Sequence, residues 1–105
     1  MSEPTYILKE YIKYHDENIK KYGSSTVVLM QVGSFYEIYS VQNETINVGA
    51  DIYQLADILG IQVVRRNKKI PEISYDNFLM SGWNMYATEK FQKILLNHNY
   101  TIVYV

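Results

Sequence analysis

The feature that most constrains this chain is a change of period. Leu8, Tyr11, Ile12, His15, Ile19 and Tyr22 recur at spacings of three and four residues, and Gly23 ends the run. That spacing predicts an amphipathic helix with Lys9, Lys13, Glu17 and Lys20 outside, opened by Pro4 where a missing N–H costs nothing. Residues 26–31 then turn β-branched and apolar, which predicts a buried strand, and Val32-Gly33-Ser34 supplies turn chemistry before a second strand over 35–39.

The remaining segments extend the pattern. Asn43-Glu44 marks a turn before a short strand at 45–48, and 51–59 reads as a helix with Ile52, Leu55, Ala56 and Leu59 on one face. Residues 61–66 read as a strand, 67–77 as a loop, 78–82 as extended, 85–96 as a helix and 100–105 as a closing strand. The order α-β-β-(β)-α-β-β-α-β predicts an α/β (α+β) fold, a mixed sheet flanked by about three helices. The 105 residues allow one domain, and with 48% apolar residues it can bury roughly two-thirds of its unfolded surface. The last strand reaches the final residue without a polar tail, so the expectation is a domain cut from a longer chain.

Composition narrows the chemistry. No cysteine is present, which excludes disulfides, thiolate metal sites and a Cys nucleophile and fits a reducing compartment. Ten basic and eleven acidic residues give a net charge of −1, so nucleic-acid binding must come from a local patch or from help elsewhere. Met1-Ser2-Glu3-Pro4 lacks the basic, apolar start of a signal peptide, and no uncharged stretch is long enough for a bilayer. A soluble intracellular domain is the expectation. No glycine precedes a lysine, so there is no P-loop. His15 and His98 fall on different helices without partners at ligand spacing, and Asp51 and Asp57 do not converge. No catalytic set is found, and neither an enzyme nor a cofactor-binding domain is expected.

The informative segment is Gly33-Ser34-Phe35-Tyr36-Glu37-Ile38-Tyr39. Residues two apart share a strand face, which puts Phe35, Glu37 and Tyr39 on one side and Tyr36 and Ile38 on the other. A carboxylate is the poorest core member, so Tyr36 and Ile38 are expected inward, with Phe35 and Glu37 presented near the turn. An exposed flat ring can wedge between base steps and kink a duplex, at lower cost where the pair is already mismatched. A glutamate beside phosphates is repelled unless it holds a base by a hydrogen bond, for which a protonated carboxyl is a donor.

The run from Leu29 to Tyr39, with Phe35-Tyr36-Glu37 after Val32-Gly33-Ser34, resembles the N-terminal mismatch-recognition domain of the MutS family and its Phe-x-Glu signature. The resemblance covers nearly the whole chain. The Pro4-Thr5 helix looks like the family's first helix. Residues 56–66 are similar to its helix-strand step, Gly82, Tyr86, Ala87 and Glu89 match the start of its last helix, and 100–105 its final strand. The resemblance implies Phe35 as the stacking wedge and Glu37 as the hydrogen-bonding partner of a mispaired base in double-stranded DNA. For a parent chain it implies a dimer, a clamp and an ATPase using ATP and Mg²⁺, with no cofactor in this domain. The chain departs from the pattern at Gly82-Trp83-Asn84, where many members carry Gly-Ile-Pro, and at Tyr86, where His is frequent. Its wording is similar to divergent viral or organellar members, some of which carry an appended nuclease.

Arg65, Arg66, Asn67, Lys68 and Lys69 form the basic cluster, expected on the DNA backbone, where such contacts add affinity but no specificity. Trp83 is a candidate second aromatic contact or, equally, a core anchor. Two other classes compete with mismatch recognition. An RNA-recognition motif fails because Val32, Ser34 and Phe35 stand where its signature needs Lys or Arg, then an aromatic, then Gly or Ala. A protein-interaction or branched-DNA-binding module would use the same fold with Phe35 inserted into another partner.

Overall fold

The computed structural model describes the chain from Glu3 to Val105, the side chains from Tyr6 onward. Met1 and Ser2, read above for a targeting signal, lie outside the described residues. The elements follow in the order α1 (Glu3–Tyr22), β1 (Thr26–Val32), β2 (Phe35–Gln42), β3 (Asn47–Gly49), α2 (Ile52–Leu59), β4 (Val64–Arg65), β5 (Leu79–Asn84), a 3-10 turn (Met85–Ala87), α3 (Thr88–Asn97) and β6 (Thr101–Tyr104). These helices and strands make the expected α+β fold around one six-stranded sheet of order β4-β5-β2-β1-β6, with β3 paired to the end of β2. β6 runs parallel to β1 and the other pairs are antiparallel, so the sheet is mixed.

The β1–β2 hairpin turns in two residues, Gly33 and Ser34, with Val32 opposite Phe35. Gly33 sits at φ +59°, a value the first position of a type II′ turn requires and an L side chain resists. The hairpin sets the register: Phe35 faces Asn84, Tyr36 faces Trp83, Glu37 faces Gly82 and Tyr39 faces Met80 across to β5. Side chains directly opposite share a face. One face therefore carries Phe35, Glu37 and Tyr39, and the other carries Tyr36, Ile38 and Trp83.

Helices cover both faces. Tyr11 of α1 packs edge-on against Tyr39 with ring centroids 5.4 Å apart, while Phe91 of α3 stacks on Trp83 at 4.7 Å. Since Tyr39 and Trp83 point to opposite sides, α1 lies on one face and α3, with α2 beside it, on the other. β1 is buried from Thr26 to Met30, as a strand covered on both faces must be. Leu8 and Tyr11 are fully buried, whereas Tyr22 at the far end of the stripe is exposed, because a helix of about 30 Å overhangs a strand of about 23 Å.

Several expected elements differ in extent: β2 runs on past Tyr39 to Gln42, and three others have a local cause. β3 starts at Asn47, later than the pattern predicts, because the Asn43 carboxamide oxygen captures the N–H groups of Thr45 and Ile46 at 2.9 and 2.8 Å. The strand expected at 61–66 pairs through Val64 and Arg65 alone, since the Ile61 N–H is still engaged by the Ala56 carbonyl at the end of α2. The last helix opens as a 3-10 turn because Met85 N–H is tied to the Ser34 carbonyl and Asn84 Oδ1 caps Tyr86 N–H.

Candidate nucleic-acid interface

Phe35 is the first residue of β2, beside the hairpin turn, and its side chain is 45% exposed. Glu37 is half-buried two residues along the same face. Its neighbours across the sheet are Met30 on β1 and Gly82 on β5. Gly82 has to be glycine, because a Cβ there would meet the Tyr36 carbonyl oxygen at 2.2 Å. With no side chain at that position, the sheet beside Glu37 opens into a shallow groove lined by Phe35, Gln62, Val64, Met80 and Gly82. At the same end, Met85 and Tyr86 add exposed apolar surface, with Tyr86 97% accessible. Both are anchored to the hairpin by the Met85–Ser34 bond of 2.9 Å.

Tyr39 corrects the expectation for this strand. The alternation placed Phe35, Glu37 and Tyr39 on a presented side, with the opposite side inward. In the structure both sides are packed, and Tyr39 is 3% exposed beneath α1, between the rings of Tyr11 and Phe78. Its hydroxyl donates to Glu37 Oε1 at 2.5 Å. Burial first, then the bond to Glu37 and its charge, push the Tyr39 phenol far above its ordinary range, against the opposing charge of Arg66. Ile38 is buried as expected, and Tyr36 is half-buried against Tyr104, with ring centroids 5.0 Å apart.

Trp83 is a second correction. It is 5% exposed, stacked on Phe91, with its indole N–H donated to Thr88 Oγ1 at 3.2 Å. It belongs to the core and not to the surface that presents Phe35, because the β5 register turns it to the opposite face. The aromatic that reaches solvent in that segment is Tyr86, three residues on. Its sequence signal is the helical pattern of 85–96, which leaves Tyr86 off the apolar stripe of Phe91 and Leu95.

The basic cluster divides into two parts. Arg65 is half-buried and folds back on its own loop, its guanidinium donating to the carbonyls of Ile70 at 2.8 Å and Lys68 at 2.9 Å. Arg66, Asn67, Lys68 and Lys69 are exposed. The loop is held from beneath by Asn77, 3% exposed, whose side chain accepts from Asn67 N–H and donates to the carbonyls of Ile70 and Glu72. Asn77 has no chemistry-bearing signature in the sequence, where it reads as one more polar loop residue. The loop leaves the sheet at the Arg65–Leu79 pair, five positions along β5 from the Asn84–Phe35 pair, or roughly 17 Å. The structure thus joins Phe35 and Glu37 at one point and sets the exposed cations apart from them.

A wider concavity lies elsewhere, where the end of α1, β3 and the start of α2 come together, and includes His15, Asp16, Asn47, Asp51 and Gln54. His15 Nδ1 is buried there and finds no hydrogen-bond partner among the described residues. Burial lowers the His15 pKa, with Asp16 pulling the other way. Two carboxylates make this groove unsuited to a phosphate backbone. Among the described residues no group of three or more His, Asp or Glu side chains could hold a metal ion, and no helix is long and apolar enough to cross a membrane.

An exposed ring and a half-exposed carboxylate thus share one bare sheet end, at the two positions that carry the Phe-x-Glu resemblance. Comparison with known proteins finds MutS homologues. The chain is 34% identical over 100 residues to a DNA mismatch repair MutS homologue of Acanthamoeba polyphaga mimivirus, a match covering 94% of this chain and 8% of that protein. It is 22% identical over 117 residues to the mitochondrial DNA mismatch repair MutS homologue of Sarcophyton glaucum, covering 91% of this chain and 11% of that protein. No protein-family model matches. Over nearly its whole length the chain is similar to viral and mitochondrial MutS homologues, consistent with a MutS-like domain, and it spans about a tenth of the length of these relatives.

Proposed function

We propose that this chain serves DNA mismatch repair as the domain that recognises mispaired or distorted duplex DNA. In this reading Phe35 is the wedge. Unstacking a base step costs a few kcal/mol, and less where pairing is already lost, so an inserted ring selects defects without reading base identity. Glu37 sits on the same face and offers a hydrogen bond to the displaced base. Arg66, Lys68 and Lys69 meet the phosphates, from a loop whose base stands roughly 17 Å along the sheet from Phe35. Catalysis, ATP, Mg²⁺ and dimerisation belong in this proposal to other parts of a complete MutS polypeptide.

The observation that carries the reading is the accessible Phe35 ring two residues from Glu37 on one strand face, at a sheet end left uncovered. Net charge gives no independent drive, since the domain stands at −1. The test is DNA binding by the complete polypeptide, wild type against Phe35→Ala, with matched, mismatched and branched duplexes titrated across salt. The expected result is a loss of mismatch preference of at least about tenfold, with matched-duplex affinity and its salt slope unchanged. A wild type without mismatch preference, or a preference that survives the substitution, rejects the wedge. The surface would then serve branched DNA or a protein partner.

A further inference from the structure

Glu37 has three side-chain torsions and stands at a sheet end where nothing on β5 packs against it, because Gly82 is its partner there. A carboxylate in that position ordinarily samples several rotamers. This one does not have that freedom, since one of its oxygens is held from below. Tyr39 is 3% exposed, its ring is fixed between Tyr11 of α1 and Phe78 at centroid distances of 5.4 and 5.1 Å, and its hydroxyl reaches Glu37 Oε1 at 2.5 Å. Among the described residues the other oxygen, Oε2, takes part in no hydrogen bond.

We infer that Tyr39 is a positioning residue for base recognition: it dedicates Glu37 Oε1 to the protein and leaves Oε2 as the oxygen that meets a displaced base. The inference rests on the mismatch-recognition reading above and deepens it. A phenol has one proton to give. While that proton is given to Oε1, a base N–H can donate to Oε2, and a proton added to the carboxyl resides on Oε2 and can be given to a base acceptor. Either way one oxygen and one direction are offered. The binding step is then spared the ordering of a flexible side chain. The charged and titratable groups around the pair come from each packed element: Tyr11 from α1, and Arg66, whose charge acts on Tyr39, from the loop after β4.

Tyr39→Phe keeps the ring and its packing and removes the hydroxyl. In the complete polypeptide it is to be combined with Glu37→Ala in a double-mutant cycle, read as mismatched over matched duplex affinity, with Phe35→Ala as reference. The expected result is a three- to tenfold loss of preference from Tyr39→Phe, about the worth of ordering one side chain, and no further loss when Glu37 is already Ala. An equal loss in both backgrounds means Tyr39 acts through packing and overturns the inference, as does no loss at all. If Glu37→Ala is silent while Phe35→Ala abolishes preference, the wedge stands and this inference falls. If Phe35→Ala is silent too, the mismatch reading itself has failed.

Discussion

The two faces of β2 treat their aromatic residues in opposite ways. On one face Tyr36 meets Tyr104 of β6, Trp83 meets Phe91 of α3 and is 5% exposed, and Ile38 is buried. On the other, α1 covers Tyr39 but leaves Glu37 half-exposed and Phe35 45% exposed. Phe35 and Trp83 lie within one residue position of each other on paired strands, yet one is structure and the other is available for work. The lesson is that residue type says little about role in this sheet. What decides is whether a helix happens to lie over the position.

The sharpest way to break that contrast is to remove each ring in turn. Trp83→Ala should cost about 3–5 kcal/mol of folding stability, the range for deleting a large buried aromatic. Phe35→Ala should cost about 1 kcal/mol or less, since much of its surface is already in water. Chemical denaturation of both variants checks this, and equal losses would mean that the two faces are equally structural.

A smaller effect is expected from the exposed cations. Replacing Lys68 and Lys69 by Ala should weaken matched and mismatched duplexes alike, and make the salt dependence of log affinity shallower by about two units. Titrations at several salt concentrations read it out. A loss confined to mismatched DNA would move these lysines from backbone contact to the recognition site.

The smallest effect concerns alkaline stability and sharpens the contrast between buried phenols. Burial raises the pKa of Tyr11 and Tyr39 on the α1 face, and by the same cause, with the nearby Tyr36, that of Tyr104 on the other. A raised folded-state pKa favours the neutral phenol in the native state, so its contribution is complete below the unfolded value of 10.0 and is lost as pH climbs beyond it. Stability should therefore decline above about pH 10, and less steeply in Tyr39→Phe than in Tyr104→Phe. Melting curves from pH 8 to 11 provide the check, and identical slopes would show that the cover of α1 confers no special burial on Tyr39.

Much of this was legible before any coordinates. The helix stripe from Leu8, the Gly33-Ser34 turn, the apolar face of α2 and the order of the strands follow from period and turn chemistry, which are local properties of the chain. Phe35 and Glu37 were legible as a pair because alternation along a strand is also local. Trp83 was not, since its facing depends on the register of β5 against β2, two strands nearly forty residues apart in the chain. Arg65 looked like its exposed neighbours until the loop closed on its guanidinium.

By itself the sequence determined the order of helices, strands and turns, though not where each begins and ends, and which run carries the MutS resemblance, because backbone preference and period need no distant partner. Tertiary structure alone decided that Tyr39 lies under α1 and holds Glu37, that Trp83 is core, and that the exposed cations stand apart from Phe35. Each of these is a question of what packs against a position, and only the docking of α1, α3 and β5 onto β2 answers it.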